Sequence, residues 1–289
     1  MLYTVDETPL DGTPVPMLTL RMDNVSDGWQ QRFLLASDVH FDSPKCDRKL
    51  FFTHLKQAQE QGAGLIIIGD LYDAMQGRDD PRRNKAALRP EYQGGNYLDL
   101  IVEDVVEQLL PYRENIVAIG DGNHETSVRR KLETDLIGRT CQNLNVPRLG
   151  YSGFVRFMTQ RNGGGRHSFF MYYHHGHGSG GAASQGASKI ETRAATYPDA
   201  DLIVTGHIHN RWTHSFPRVR ASAGGRIYED EQTHVQLPTY KGGFDLTGGW
   251  EIEKGMKPKP RGGAWLEFYW SGRGSGSRDH VTYRIQWAV

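Results

Sequence analysis

The segment "TGHIHNRW", residues 205–212, places two imidazoles directly after an apolar run, "ADLIVTG". In an extended chain, side chains two positions apart lie on the same side, so His207 and His209 would point into one space. Two imidazoles that converge in this way are suited to binding a metal ion. The alternative is a solvated loop with two incidental histidines, and one H-x-H motif does not decide between these interpretations.

Ligand-type residues also end four other apolar runs, which close on "SDVH", "GDLYD", "GNHE" and "HHGHG". The carboxyl ends of parallel strands open on one crevice of an α/β sheet, so residues far apart in sequence can meet there. Five separate coincidences of Asp, Asn and His at strand ends are improbable, and we interpret them as one cluster. Its candidate members are Asp38, His40, Asp70, Asp73, Asn123, His124, His175, His207 and His209.

The elements that must position this cluster are alternating strands and helices. The runs "RFLLASDVH", "GLIIIGDLYD" and "NIVAIGDGNHE" have strand length, whereas "KLFFTHLKQAQEQ" and "YLDLIVEDVVEQLLPY" have helical spacing of apolar residues. This succession predicts βαβ crossovers, which need parallel strands with both faces covered. Later runs predict further strands, more of them antiparallel, in "GFVRFMTQ", "HSFFMYYHHG", "GAWLEFYW" and "HVTYRIQWAV", and one helix in "ASKIETRAATY".

The organisation of the chain favours a single domain over residues 1–289, because neither a linker nor an internal repeat is visible. Turn residues dominate after residue 211 until the last two predicted strands. Residues 74–95 lack a periodic core face, and residues 241–263 are rich in Gly, Pro and Lys. We expect both segments to be loops near the strand ends that carry the cluster.

Composition excludes some classes of partner. Lys and Arg number 34 and Asp and Glu number 34, so no overall basic field attracts nucleic acid or anionic membranes, and any such binding must be local. The amino-terminal residues lack the pattern of a signal peptide, and no apolar stretch has the length of a membrane span. Two cysteines without C-x-x-C spacing suit a reducing compartment, so we expect a cytoplasmic protein with no membrane partner. No obligate protein partner is indicated, and the oligomeric state is open.

The order D-x-H, G-D-x-x-D, G-N-H-E, H-G and G-H-x-H, over residues 38–209, resembles the calcineurin-like metallophosphoesterases. The five-part set is specific, although each part alone is weak. The resemblance implies an α/β (α+β) fold, a four-layered αββα sandwich of two mixed sheets flanked by helices. It also implies a two-metal centre at the strand ends that hydrolyses phosphoesters.

The ligand sets follow from the resemblance. It implies that one divalent metal is held by Asp38, His40, Asp70 and His209, and the other by Asp70, Asn123, His175 and His207. Asp70 would bridge the two metals, because a bridging ligand needs two oxygens and a negative charge. Mixed imidazole and carboxylate ligands suit manganese, iron, zinc or nickel rather than calcium or magnesium, and manganese is expected first. In "YYHHGHG" the family pattern selects His175, with His174 and His177 as alternatives.

The resemblance also implies roles for two residues that do not bind metal. His124, from G-N-H-E, would be the general acid that protonates the leaving group, while a hydroxide bridging the metals attacks phosphorus. Asp73, from G-D-x-x-D, would orient His124 and raise the pKa of its imidazole. We expect both to be catalytic residues.

The substrate is less defined than the reaction. The candidate substrate-binding residues are His177, Arg78, Arg82 and Arg83. Basic side chains near the site favour a phosphodiesterase that acts on DNA or RNA, in the manner of an exonuclease. A solvated face of mixed charge explains the arginines equally well. The alternatives are a small-molecule phosphomonoesterase or nucleotidase, and a protein Ser/Thr phosphatase. The protein-phosphatase pattern has Arg-Gly after G-D-x-x-D and an arginine after G-N-H-E, whereas this sequence has Ala74-Met75 and Thr126 at those places. A non-catalytic binding scaffold is a further alternative, although this chain keeps all seven ligands and His124.

Overall fold

The computed structural model describes most of the 289 residues of the chain. The described residues are 3–5, 13–74, 88–93, 95–161, 164–178, 184, 186–222, 224–242, 253, 255, 257–271 and 281–289. The predicted substrate contacts Arg78, Arg82 and Arg83 lie outside them, as does most of the predicted loop 74–95.

Strands and helices alternate along the first half of the described chain, as the apolar periodicity predicts. The strands are β1 Thr4–Val5, β2 Val15–Val25, β3 Gln30–Ala36, β4 Gly64–Ile67, β5 Ile116–Ile119, β6 Leu149–Arg161, β7 Arg166–His174, β8 Leu202–Thr205, β9 Trp212–Ala221, β10 Ile227–Gln236, β11 Gly263–Trp270 and β12 Val281–Ala288. The α-helices are α1 Arg48–Glu60, α2 Tyr97–Leu109, α3 Asn123–Leu132, α4 Leu136–Leu144 and α5 Ile190–Thr196, and short 3₁₀ helices span Pro90–Tyr92, Leu110–Asn115 and Ala187–Lys189.

The strands form two mixed sheets. One sheet has the spatial order β1-β2-β6-β7-β8-β10-β9, with parallel pairs β2–β6, β7–β8 and β8–β10. The other has the order β12-β11-β3-β4-β5, in which β3, β4 and β5 are parallel and β11 runs antiparallel to β3. Parallel pairing therefore also occurs in the second half of the chain, where antiparallel strands were expected to prevail.

Apolar residues on alternate positions of the central strands face different layers. In β4, Leu65 and Ile67 pack under the helices, whereas Ile66 joins the core between the two sheets. Helices α1, α2 and α4 supply buried apolar residues to the outer core of the five-stranded sheet. On the outer face of the seven-stranded sheet, Tyr172 of β7 stacks on Tyr197 at the end of α5, with ring centroids 3.6 Å apart. The predicted four-layered αββα sandwich is confirmed.

The expectation that turn residues dominate after residue 211 is wrong, because β9 and β10 form a ten-residue antiparallel ladder. These strands lack the apolar alternation that reveals a half-buried strand, since β9 is the edge of the sheet and has no buried residue. Cross-strand ion pairs hold them instead, with Arg218 Nε 2.9 Å and Arg220 Nη1 3.3 Å from the carboxylate of Asp230.

Helix α3 was also not predicted, because its sequence "NHETSVRRKL" is polar and buries only Glu125 and Val128. In the predicted loops, residues 90–92 form a 3₁₀ helix and residues 257–262 carry no regular element. Among the described helices, none is long and apolar enough to cross a membrane.

Candidate metal centre

The ligand-type residues lie at the carboxyl ends of five strands, three from one sheet and two from the other. Strands β3, β4 and β5 lead to Asp38, Asp70 and Asn123, and β7 and β8 lead to His175 and His207. Because both sets of parallel strands end at the same edge of the sandwich, the two sheets contribute to one site. The site therefore lies between the sheets rather than along one sheet.

The first candidate metal group contains Asp38, His40 and His209, whose ligand atoms all lie within 4.8 Å of one another. His209 Nε2 is 3.1 Å from Asp38 Oδ1 and 3.3 Å from His40 Nε2. Asp38 and His40 are fully buried, so the donor atoms face an interior space rather than solvent. These are three of the four residues that the sequence assigns to one metal.

The second group contains Asp70, His175 and His207, again within 4.8 Å. The amide oxygen of Asn123 lies 3.0 Å from His175 Nε2 and 2.7 Å from His207 Nδ1. His175 Nδ1 donates a hydrogen bond to the carbonyl of Ile68 at 2.9 Å, which leaves Nε2 as its ligand atom. The structure thus brings together all four residues that the sequence assigns to the other metal.

Asp70 lies between the two groups. Its Oδ2 is 3.2 Å from His175 Nε2 in the second group and 3.9 Å from His40 Nε2 in the first. A third group of converging donors contains His40, Asp70 and His124, because His124 Nε2 is 3.7 Å from the same oxygen. The position of Asp70 suits a shared ligand, and His124 stands beside it.

The histidines of "GHIH" do not lie in extended chain, so the expectation drawn from a period of two is wrong. The φ angles of His207 and His209 are 71° and 54°, in the left-handed region, because the chain turns directly after β8. His207 consequently faces Asn123 and His175, whereas His209 faces Asp38 and His40. The two imidazoles enter the same site but reach different candidate groups.

Glycines beside the ligands allow the loops to approach one another. A Cβ on Gly122 would lie 2.1 Å from Asp70 Oδ1, and a Cβ on Gly206 would lie 2.8 Å from Asp38 Oδ2. Both distances are too short for a side chain, so any larger residue would displace a candidate ligand. The glycines of the G-N-H-E and G-H-x-H motifs are thereby explained by close packing.

Two buried carboxylates, Glu125 and Asp42, hold the loops that carry the candidate ligands. The sequence analysis assigned neither of them a role. Glu125 accepts hydrogen bonds from the backbone N–H groups of Asp70, Tyr72 and Gly122 at 3.2, 2.9 and 2.8 Å. Burial and the neighbouring Asp70 carboxylate raise the pKa of Glu125 to about 8, while the hydrogen bond from the N–H of Tyr72 opposes the rise. Its place in the G-N-H-E motif was the signal that could have revealed this role.

Asp42 supports the next loop. Its carboxylate accepts the N–H groups of Asp73 and Ala74 at 2.6 and 3.0 Å and also the hydroxyl of Tyr97. Asp42 follows His40 by two positions in "SDVHFDS", so its proximity to the site was available from the sequence. The site is therefore held by side chains as well as by the strands.

The carboxylate of Asp73 lies closer to two other side chains than to its predicted partner, His124. It lies 3.8 Å from His124 Nδ1 but 2.9 Å from His40 Nδ1 and 2.6 Å from Lys241 Nζ. His124 Nδ1 instead donates a hydrogen bond to the backbone carbonyl of Asp73 at 2.5 Å. The backbone of Asp73 orients His124, whereas its side chain supports the candidate ligand His40.

Of the three neighbouring histidines in "HHGHG", the described structure brings only His175 into a candidate metal group. His174 Nδ1 accepts a hydrogen bond from the N–H of Gly176 at 2.8 Å. His177 is exposed, and its Nε2 lies 2.5 Å from Lys189 Nζ. The substrate contact predicted for His177 stays a prediction.

The charges of the site suit divalent cations. Burial would lower the pKa of His175, yet the carboxylates of Asp70 and Asp38 raise it to about 10. Burial and the charge of Lys241 lower the pKa of His40 to about 4, so that imidazole is neutral, the form that binds metals. The donor set of imidazole nitrogens with carboxylate and amide oxygens fits two transition-metal ions better than calcium or magnesium.

A search of curated proteins found no match. Similar solved structures include Vps29 complexed with zinc from Entamoeba histolytica, with 12% identity, a TM-score of 0.33 and coverage of 90% of this chain and 100% of that chain. GAP50, the anchor in the inner membrane complex of Plasmodium, has 9% identity, a TM-score of 0.38 and coverage of 90% and 85%. A predicted phosphoesterase from Streptococcus pneumoniae has 12% identity, a TM-score of 0.31 and coverage of 83% of each chain. The model of the calcineurin-like phosphoesterases matches residues 31–211, more than half of the sequence, and the chain belongs to that family.

Proposed function

We propose that this protein is a metal-dependent phosphoester hydrolase that acts on phosphodiesters. The observation that supports the proposal is the convergence of two candidate metal groups on the carboxylate of Asp70, with His124 Nε2 3.7 Å from the same carboxylate. A structural cluster of histidines would not need donors from five strand ends. A non-catalytic scaffold would not need a further imidazole at the edge of the metal groups.

The residues divide into two ligand sets. Asp38, His40 and His209 would hold one metal and Asn123, His175 and His207 the other, with Asp70 shared by both. When bound, two divalent ions, with manganese as our first choice, supply charge that polarises a phosphoryl group and activates water. The protein contributes a buried, pre-formed set of donors in which Glu125 fixes the loop of Asp70.

His124 is the proposed general acid. Its Nδ1 is committed to the carbonyl of Asp73, so the proton that can move is the one on Nε2. Nε2 faces the space beside Asp70, where the leaving-group oxygen of a bound phosphoester would lie. Protonating that oxygen assists the departure of a poor alkoxide leaving group, typically by about 10² to 10⁴ in rate.

The proposed physiological substrate is a nucleic acid or a nucleotide-derived diester. This part of the proposal rests on the basic sequence around Arg78, Arg82 and Arg83, which lies outside the described residues. A small-molecule phosphomonoesterase is the principal competing activity, because the ligands of the site do not distinguish a monoester from a diester.

A substrate panel tests the proposal. With manganese, the protein should hydrolyse bis-p-nitrophenyl phosphate and an oligonucleotide faster than p-nitrophenyl phosphate or a phosphopeptide. Asp70→Asn should lower metal occupancy at both positions and abolish turnover, while Asp23→Asn, an exposed position on β2, should change neither. Metal binding without hydrolysis of any substrate would refute the catalytic proposal, and preference for the monoester would refute the diester.

A further inference from the structure

A group of basic side chains adjoins the candidate metal centre on the side of the seven-stranded sheet. We call it the basic cluster, and it consists of His174, His177, Lys189 and Arg193. His174 ends β7 and His177 follows three residues later, on either side of the candidate ligand His175. Lys189 and Arg193 are four positions apart, at the junction of a 3₁₀ helix with α5, and such spacing places both on one helix face.

Three members of the basic cluster, His174, His177 and Lys189, lie side by side, and His174 precedes the candidate ligand His175 directly. Lys189 Nζ lies 2.5 Å from His177 Nε2, and the rings of His174 and His177 are 5.7 Å apart. The ring of Tyr151 packs edge-on against both His174 and His175, at 5.3 and 5.4 Å. Tyr151 therefore links the basic cluster to a candidate metal ligand.

The basic cluster is not neutralised within the described structure. Among the described residues, no carboxylate lies within ion-pair distance of Lys189 or Arg193. By contrast, Arg148 contacts the carboxylates of Asp121 and Asp135. Arg193 is half-buried, and an ionised side chain that is partly removed from water without a partner is unfavourable.

The side chains of the basic cluster are close enough for their charges to interact, because Lys189 Nζ lies 2.5 Å from His177 Nε2. Close positive charges repel one another, so an arrangement of this kind is stabilised when an anion binds between them. Lysine as a point charge and arginine as a planar donor are both common ligands of phosphate.

We propose that Lys189, Arg193 and His177 bind a second phosphate of the substrate, beside the phosphoester that the metal centre cleaves. The substrate class is then a nucleotide phosphodiester with an additional phosphate next to the scissile linkage, such as a terminally phosphorylated strand. This inference rests on the proposed function, since it places the scissile phosphate at the metal centre. The second-phosphate site is argued from the basic cluster alone, whereas the nucleotide part of the substrate comes from the proposed function.

The test compares a thymidine dinucleotide with its 5′-phosphorylated and 3′-phosphorylated forms. KM is measured on the manganese-loaded protein, and Kd is measured by calorimetry with phosphorothioate-linked analogues, which hydrolyse slowly. One phosphorylated form should bind about tenfold more tightly than the unphosphorylated dinucleotide, with a preference that weakens as ionic strength rises. The double variant Lys189→Met/Arg193→Met keeps most of the side-chain packing and should lose this preference. Lys189→Arg should retain it.

Lys56→Met/Arg113→Met is the matched control, because both residues are exposed and lie in the helical layer over the five-stranded sheet. It should keep the wild-type preference. Equal affinity of the wild-type protein for all three dinucleotides, or a preference that survives in Lys189→Met/Arg193→Met, would overturn the second-phosphate site while leaving the hydrolase intact. A preference that disappears in that variant, in a protein that hydrolyses none of the dinucleotides, would support the site and refute the proposed function.

Discussion

Replacing Asp73 by asparagine separates two roles for this carboxylate. The sequence predicts that the Asp73 carboxylate orients His124. Loss of this carboxylate would then slow only reactions with poor leaving groups. The structure places it between His40 Nδ1 at 2.9 Å and Lys241 Nζ at 2.6 Å. Because His40 is a candidate ligand through Nε2, we expect Asp73→Asn to weaken metal binding.

The magnitude follows from burial and from the partners involved. The side chains of His40, Asp73 and Lys241 are only 2%, 13% and 18% exposed, so solvent screens their interaction weakly. Residues that orient a metal-binding histidine typically contribute about 10-fold to 100-fold to metal affinity. At about 1.4 kcal/mol per factor of ten, Asp73→Asn should cost about 1.4 to 2.8 kcal/mol of metal binding.

Two measurements check this expectation. Manganese affinity is obtained by competition with a chelator, and rates at saturating manganese are compared for diesters with good and poor leaving groups. Affinity should fall by the stated factor, and the residual rate loss should be similar for both diesters. Lys241→Met should weaken affinity in the same direction, whereas Asp23→Asn should have no effect. Unchanged manganese affinity, with a loss of rate only for poor leaving groups, would refute this reasoning. It would show that the Asp73 carboxylate acts through His124.

Three further predictions concern the same site. His124→Ala should keep both metals but lose about 10² or more in kcat for an alkoxide leaving group and less for p-nitrophenolate, as steady-state kinetics would show. In the metal-free protein the pKa of His175 is raised from 6.5 to about 10, so its stabilising contribution should be complete below about pH 6.5 and be lost as pH rises towards 10. Thermal unfolding should show this decline, and metal affinity should increase over the same range because the metal displaces that proton. Gly122→Ala should abolish metal binding in a titration, since its Cβ would lie 2.1 Å from Asp70 Oδ1, and wild-type affinity would contradict the packing argument.

The sequence could predict which residues meet because strand ends in a parallel sheet have a fixed geometry. Apolar runs such as "GLIIIGD" and "DLIVTG" identify buried strands, and the residues that follow them must emerge at one edge. The position of Asp70 and that of His207 therefore follow from local pattern alone. The same reasoning could not show that the donors come from two sheets, because the pairing of strands is a property of the whole fold.

Orientation of the side chains was less predictable than position. Lys241 lies 168 positions after Asp73 and belongs to no motif, so the sequence around it does not predict its ion pair with that carboxylate. The side chains of His207 and His209 point to different groups because the chain turns directly after β8, whereas the sequence analysis assumed an extended chain there. The strands β9 and β10 were not predicted because most of their residues are polar, and a ladder of backbone pairing with cross-strand ion pairs joins them.

Backbone conformation explains why Asp and His recur at these loops. Five candidate ligands, Asp38, His40, Asp70, His207 and His209, have φ between 49° and 71°. The left-handed region costs about 1 to 2 kcal/mol for an ordinary L-residue, and Asp, Asn and His tolerate it best after glycine.

Hydrogen bonds between the ligand loops hold the strained positions. The N–H of Asp38 donates to Gly69 at 3.1 Å, that of His40 donates to Asp70 at 3.0 Å, and the carbonyl of Asp38 accepts the N–H of Tyr240 at 3.0 Å. Loops held in this way lose little conformational entropy when a metal ion binds. The free energy of coordination therefore contributes to metal affinity and to the stability of the fold. The strain is thus consistent with a centre whose donors are positioned before the metals bind.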